Sequence, residues 1–335
     1  MDGFLRVPGN DVYSIGYYTA AEMPFLAALA QAYTVCDHWF APILAETFPN
    51  RMFLWAAQTD RLTNTLSLSS LPTVFDRLSS AGVSHRYYFN NVPFLGLWGL
   101  KYLTSTSLFS EFLDAVSSGN LPSVSFVDPR FTELDDGLGN DDHPHSDIRN
   151  GDAFLSKVFH AVATGPKWAN TVLVVIFDEW GGFFDHVRPP LAVPANNIDT
   201  ELINGKVLLG FRVPAIIASP FTRGANQVDA TVYDHTSILK LIEWRFGVAP
   251  LTPRDTSANN PATMFNFSSP VVQVPALPQP STVTGLPCFA QGLSGAKATQ
   301  PQTTAEGAPK SEFGALKSTP TVQDWLSRPN FQGAK

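Results

Sequence analysis

Residues 171–177 read TVLVVIF, and Asp178-Glu179-Trp180-Gly181-Gly182 follows at once. An unbroken run of β-branched and aliphatic residues is the pattern of a strand covered on both faces, as in a parallel sheet under helices. The two carboxylates stand where that strand would end, and ligands of open α/β sheets bind beyond the carboxyl ends of strands. Adjacent acids in such a place repel each other unless a cation or hydrogen-bond donors offset them. The Gly-Gly pair permits a sharp turn, which would bring Asp185 and His186 back toward the same pocket. The competing reading is a solvated acidic turn with a satisfied histidine.

The neighbouring segments extend the pattern. Residues 123–127 predict a strand running into Asp128-Pro129, and 213–219 predict a second buried strand. Helices are predicted over 20–33, 73–80, 108–116, 151–163 and 236–246, the last ended by Gly247. Another is predicted over 49–57 with Pro49 at its first position, and a strand over 84–89. Strands alternating with helices predict an α/β domain over residues 1–250. From there Pro, Thr, Ser, Gln and Ala dominate, so 251–335 reads as a largely irregular tail with a short helix near 321–326.

Composition narrows the function classes. The chain has 335 residues, 44% hydrophobic and 15% charged. That is enough for one large domain burying roughly 75% of its unfolded surface, and it excludes bulk disorder and a long coiled coil. No apolar run approaches the ~20 residues of a membrane helix. The net charge of −7 and the lack of a Lys/Arg cluster exclude the usual nucleic-acid footprint. Cys36 and Cys288 form no zinc-type spacing, and whether they pair is open. No Gly-x-Ser-x-Gly, P-loop or dinucleotide fingerprint is present.

Three further clusters contain chemistry-bearing residues. In Glu46-Thr47-Phe48-Pro49-Asn50-Arg51 a hydroxyl precedes a proline-started helix. A helix N-terminus attracts a phosphate or a developing alkoxide, and Asn50 and Arg51 add anion-binding donors. Thr47 therefore reads either as a nucleophile or as an ordinary cap. Asp141-Asp142-His143-Pro144-His145 packs histidines among carboxylates, the pattern of metal ligation, phosphate contact or proton transfer, or of a hydrophilic loop. His235 in Tyr233-Asp234-His235-Thr236-Ser237 precedes a helix and is uninformative alone. His38, His85 and His160 read as structural or surface residues.

Taken in order, six stretches resemble one family: AEMPFLAALAQAYTVCDHWFAPILAETFPNR, SVSFVDP, NDDHPHSDIRNG, LVVIFDEWGGFFDHVRPP, GFRVPAIIASPFTRG and VYDHTSILKLIEWRFG. The family is the bacterial phosphoesterases, comprising phosphocholine-type phospholipases C and acid phosphatases, within the alkaline-phosphatase-like superfamily. The resemblance implies a three-layer α/β fold with helices on both faces of the sheet. It implies hydrolysis of phosphoric esters, of phospholipid or phosphomonoester type, by an exported parent protein. Thr47 then matches the nucleophile, and His143 and His186 match catalytic histidines. Asn50, Arg51, His145 and His235 match substrate-contacting positions, and Asp178 and Glu179 match ligands of a divalent metal of unknown identity.

Two departures qualify the resemblance. Family members begin with an apolar strand ending in Glu-Asn-Arg-Ser-Phe-Asp-His, which is absent, while Met1-Asp2-Gly3-Phe4 resembles a stretch found downstream of it. The expectation is a sequence lacking its N-terminal segment, and with it a central strand, two metal ligands and an export signal. Trp180 stands where the family often has His. The alternative is thus an inactive remnant that keeps the fold without a competent metal site. A sulfatase-like reading has the Pro49 and Arg51 spacing, but Thr47 cannot become a formylglycine.

Overall fold

The TVLVVIF run forms a strand over Leu173–Ile176, but its partner runs antiparallel to it. The computed structural model describes residues 3–7, 12–132, 138–144, 146–196, 198, 202–222, 224, 226–283 and 312–329. In chain order, α1 (Pro24–Ala32) leads into β1 (Thr34–Cys36) and β2 (Trp39–Phe40), and α2 (Thr47–Ala56) follows. Next come α3 (Val74–Ser80), β3 (His85–Phe89), β4 (Thr106–Leu108), α4 (Phe109–Ser117) and β5 (Val124–Val127). Then come α5 (Ile148–Thr164), β6 (Leu173–Ile176), β7 (Leu191–Ala192), β8 (Val207–Leu208) and β9 (Ala215–Ala218). The chain continues with β10 (Val228–Asp229), β11 (Tyr233–Asp234), α6 (Thr236–Phe246) and α7 (Pro253–Ser257), and with α8 (Glu312–Lys317) and α9 (Pro320–Ser327).

The sheets are mixed rather than parallel throughout. One has the order β10-β1-β9-β6, with β9 antiparallel to both β1 and β6. The other, β4-β3-β5, is wholly parallel. A continuous apolar run reports burial on both faces, not the direction of the neighbouring strand. Helices cover both faces of the first sheet. Phe25 and Leu29 of α1 and Phe154, Val158 and Phe159 of α5 pack on one side with Val175 and Ile216. On the other side Ile238 of α6 joins Trp39, Ile217 and Tyr233. Expected fold class and observed α/β layering agree.

A third core holds α2, α3, the second sheet and the inner face of α6 around Trp55, whose ring meets Phe75, Tyr87, Phe94 and Trp98. Val322 and Trp325 of α9 are buried in this core. Val322 lies so close to Gly96 that an added Cβ would come within 2.7 Å of it. The segment expected as tail therefore contributes α7, α8 and α9. Residues 265–283 carry no regular element, yet Trp168 donates to the carbonyl of Val272, and Val283 donates to Asn150 Oδ1. Residues 284–311, including Cys288, lie outside the described residues.

Candidate active site

The second helix starts two residues earlier than the proline predicts. α2 begins at Thr47, so Pro49 occupies its third position. This is tolerated because the first-turn N–H groups have no intrahelical acceptor to lose. Glu46, in extended conformation, precedes the helix, and its carboxylate accepts from Asn64 N at 2.5 Å. Asn64 Oδ1 in turn accepts from Phe48 N at 2.7 Å. These contacts hold the helix start against the 59–65 loop, and Thr47 lines a cavity.

That cavity has a volume of about 1090 Å³. Thr47, Arg51, Asp128, His143, Asp178 and Glu179 all line it. The carboxyl ends of β5 and β6 deliver Asp128 and Asp178 to the same place, as strand ends in α/β sheets do. Arg51, one turn along α2 from Thr47, joins them. Its Nη2 donates to Asp128 Oδ2, and its Nη1 lies 3.7 Å from Asp178 Oδ2. The guanidinium also lies over the rings of Trp55, Phe94 and Phe131. Burial opposes its charge, but Asp128 and Asp178 outweigh that and hold it firmly protonated. Tyr87 donates to Asp128 at 2.6 Å, and burial and then the Asp128 charge push its phenol well above the ordinary range.

Asp178 is 29% exposed, and its backbone carbonyl accepts from His235 Nε2 at 2.8 Å. Glu179 Oε2 accepts from Gly181 N at 2.7 Å. Gly181 and Gly182 both adopt positive φ, 65° and 77°, which only glycine takes without strain. The turn does bring Asp185 to the cavity, but Arg212 holds its carboxylate with a fork of hydrogen bonds. Burial raises the Asp185 pKa, and the Arg212 and Val187 donors outweigh it, so the carboxyl titrates below its usual range.

Several predicted site residues lie elsewhere. His186 points to solvent with 77% of its side chain exposed and does not line the cavity, because the Arg212 clamp fixes Asp185 inward and leaves its neighbour outward. Asn50 is fully buried but faces the preceding loop: Oδ1 accepts from Ile43 N, and Nδ2 donates to the carbonyls of Ala45 and Glu46. Its amide is used in shaping the chain that leads into α2. His235 is wholly buried behind Asp178, with Trp39 Nε1 donating to its Nδ1 at 3.4 Å. Burial lowers its pKa, and a neutral ring donating to the Asp178 carbonyl makes it a positioning residue. Arg51 is a buried partner of two carboxylates as well as a lining group. His145 lies outside the described residues.

Two lining groups carry more weight than their sequence context indicates. Asp128 was visible only as Asp-Pro after a strand, and its bond to Arg51 joins positions 77 apart in sequence. Asp142 is pushed up to about 7, by burial first and then by Asp141 and Asp152. Its Oδ1 sits against Gly151 of α5, where a Cβ would come within 1.9 Å. The only local signal was the density of acids in that loop.

Asp178 and Glu179 are the residues that would hold a divalent metal. Glu179 is engaged by a backbone donor, and Arg51 already faces Asp178. Among the described residues no three His, Cys, Asp or Glu side chains come together as a metal site. The donor set therefore does not fit a resident metal without further ligands.

A profile of the Phosphoesterase family matches residues 1–249. "Non-specific phospholipase C6" of Arabidopsis thaliana is 32% identical over 279 residues, covering 76% of this chain and 54% of that protein. "Phospholipase C B" of Mycobacterium tuberculosis is 32% identical over 316 residues, covering 80% of this chain and 59% of that protein. The chain spans about half the length of the curated relatives it matches. A solved protein of the alkaline phosphatase superfamily from Vibrio parahaemolyticus aligns with TM-score 0.45 and 14% identity, over 71% of this chain and 64% of that one. A phosphonate monoester hydrolase from Silicibacter pomeroyi aligns with TM-score 0.42 and 11% identity, over 74% and 72%.

Proposed function

This chain belongs to the phosphoesterase family, and from that premise we propose that it hydrolyses phosphoric esters through Thr47. The observation that carries the reading is the placement of the Thr47 hydroxyl at the start of α2, in one cavity with Arg51, Asp128 and Asp178. The positive end of the helix dipole supplies charge opposite a phosphoryl group, while the Arg51 guanidinium offsets Asp128 and Asp178 beside it. Thr47 Oγ attacks phosphorus, the Oγ–P bond forms, and the ester P–O bond breaks. The Oγ proton passes to a carboxylate lining the cavity, and the departing alkoxide takes up a proton from a second lining group. Water then attacks the phosphorylated threonine, releasing phosphate from a monoester substrate or the remaining phosphomonoester from a diester, and restoring the hydroxyl.

Proton donors for the alkoxide lie in the same cavity. Among the described residues His143 is the histidine that lines it, and Asp142 is a second donor, because a carboxyl titrating near 7 is matched to transfer at neutral pH. No step is assigned to a metal, since the carboxylates present do not complete a ligand set. That incomplete set is also the observation behind a second reading, a family fold lacking a competent metal site. Phospholipid substrates, matching the relatives' names, and export remain part of the proposal. Among the described residues no helix is long and apolar enough to cross a membrane.

The test is hydrolysis of p-nitrophenyl phosphate and p-nitrophenylphosphorylcholine by the full chain, with and without added divalent ions. Thr47→Ala should abolish turnover and the trapped phosphoprotein, and Thr47→Ser should retain both. Unchanged turnover in Thr47→Ala would overturn the nucleophile assignment. A folded chain inactive under every metal condition would favour the second reading.

A further inference from the structure

α7 is five residues long and lies past residue 249, where the family match ends, in a stretch whose composition reads as tail. It nevertheless touches both ends of α2. Arg254, only 2% exposed, donates from Nη2 to the carbonyl of Pro42 at 2.9 Å, at the start of the loop that runs into Thr47. Asn50 holds the rest of that loop, through Ile43 N and the carbonyls of Ala45 and Glu46. At the other end, Thr252 Oγ1 lies 3.2 Å from the carbonyl of Ala57, the residue that closes α2, and shares its proton with Asp255 Oδ1. Between the two ends, the Arg254 guanidinium lies over the Phe53 ring of α2.

The same guanidinium reaches toward Asp178. Its Nε donates to Asp234 Oδ2 at 2.9 Å, and Asp234 Oδ1 accepts from Thr236 N at 2.7 Å and from Thr236 Oγ1. These bonds fix the chain on either side of His235, whose Nε2 donates to the Asp178 carbonyl. Burial raises the Asp234 pKa, but the Arg254 charge first and then Thr236 outweigh it, so the carboxyl titrates below its usual range. Nη1 donates to the Val193 carbonyl at 3.0 Å. Three nitrogens of one side chain thus hold three separate segments, one leading to Thr47 and one leading to Asp178. Arg254, Asp234 and His235 all stand outside the lining of the cavity.

We propose that Arg254 is a positioning residue for the hydrolysis: its fork fixes the Thr47 hydroxyl relative to Asp178 by tying the chain before α2 to the chain before α6. A point charge would satisfy Asp234, but only a rigid planar fork meets all three acceptors at once. Orientation matters here because an attacking oxygen misplaced by about 1 Å, even by a change far from the chemistry, loses about a hundredfold in rate. For its effect on rate the proposal rests on the reading of Thr47 as nucleophile. The anchoring of the two segments does not.

Arg254→Lys in the full chain keeps a cation for Asp234 and loses the fork. With p-nitrophenyl phosphate, kcat should fall about tenfold or more while KM stays within about twofold. Ile217→Ala, which weakens β9 without touching this network, is the control and should keep the parent kcat where it is folded. Amide hydrogen exchange reads the anchoring without turnover. In Arg254→Lys the Ile43 and Phe48 amides, which donate to Asn50 and Asn64, should speed up by about tenfold more than those of β9. If Arg254→Lys does not fold, Thr252→Val, which loses the Ala57 contact, should lower kcat, and Thr252→Ser should restore it. Equal acceleration at all these amides would overturn the proposal. So would an equal loss of kcat in Ile217→Ala, or an unchanged kcat in Arg254→Lys or, in its place, Thr252→Val. A parent chain without turnover would instead fail the hydrolytic reading, and the exchange pattern would still decide the anchoring.

Discussion

β9 and β6 are hydrogen-bonded neighbours with opposite surroundings. All four residues of β9 are buried, while Leu173, Val174 and Ile176 of β6 are only half-buried. Among the described residues β9 has a strand on each side, whereas β6 has one. On the closed flank, polar groups are matched as fully as the apolar ones. Arg254 Nε donates to Asp234 at 2.9 Å, and its Nη atoms donate to the carbonyls of Val193 and Pro42. On the open flank, Arg51 bridges two carboxylates in the cavity. The closed flank is packed on both sides and the open one is not, and mutations should separate the two.

The largest effect is expected at Arg254. Replacing it with Met leaves Asp234 buried beside an apolar chain, and breaking a buried pair this way costs about 3–5 kcal/mol. Urea denaturation of Arg254→Met should show the loss as a lower midpoint. A midpoint near that of the parent chain would mean the closed flank relaxes as readily as the open one.

Matched truncations make the comparison direct. Ile217→Ala in β9 removes a fully buried side chain and should cost about 2–5 kcal/mol. Ile176→Ala in β6 acts on a half-buried side chain in the same core, and about 1 kcal/mol is expected. Equal losses would show that β6 is covered in solution and erase the contrast.

This contrast also marks what was legible in the sequence. TVLVVIF and VPAIIAS both read as buried strands, and both are strands. Burial capacity is a local property, but coverage depends on partners distant in the chain. The helix over 236–246 was readable to the residue, because Gly247 at φ 66° provides a local stop. Strands of two or three residues, such as β1 and β10, are too short to show a period. At the site, the position of Thr47 at a helix start followed from neighbouring residues. The Arg51–Asp128 link and the withdrawal of His235 behind Asp178 follow from tertiary packing and leave no local mark.

Asp142, which lines the same cavity, gives a pH-dependent effect. Its folded-state pKa, about 7, lies above the ordinary carboxylate value, so between those two values the folded chain binds more protons than the unfolded one. Its contribution to stability is therefore present in full at low pH and lost as pH rises toward and through 7. Asp142→Asn should flatten the fall in midpoint between about pH 4 and 7. If the variant and the parent chain show the same slope, Asp142 is ionised in the folded state and is not a proton donor at neutral pH.

The smallest effect is expected at His186, where sequence and structure part most clearly. Its pairing with Asp185 invites a catalytic reading, since a histidine beside a carboxylate is a common proton relay. The carboxylate is instead committed to Arg212, and the Asp185–His186 approach is 3.9 Å at an exposed ring. A surface group without structural commitments changes stability by no more than about 0.5 kcal/mol when truncated. His186→Ala should match the parent chain in denaturation midpoint and in phosphoester turnover, while Arg212→Ala, which frees Asp185, should lower the midpoint. A loss of turnover in His186→Ala alone would place that ring in the cavity during reaction. The Gly181-Gly182 turn, with both residues at positive φ, lies between the site carboxylates and that ring.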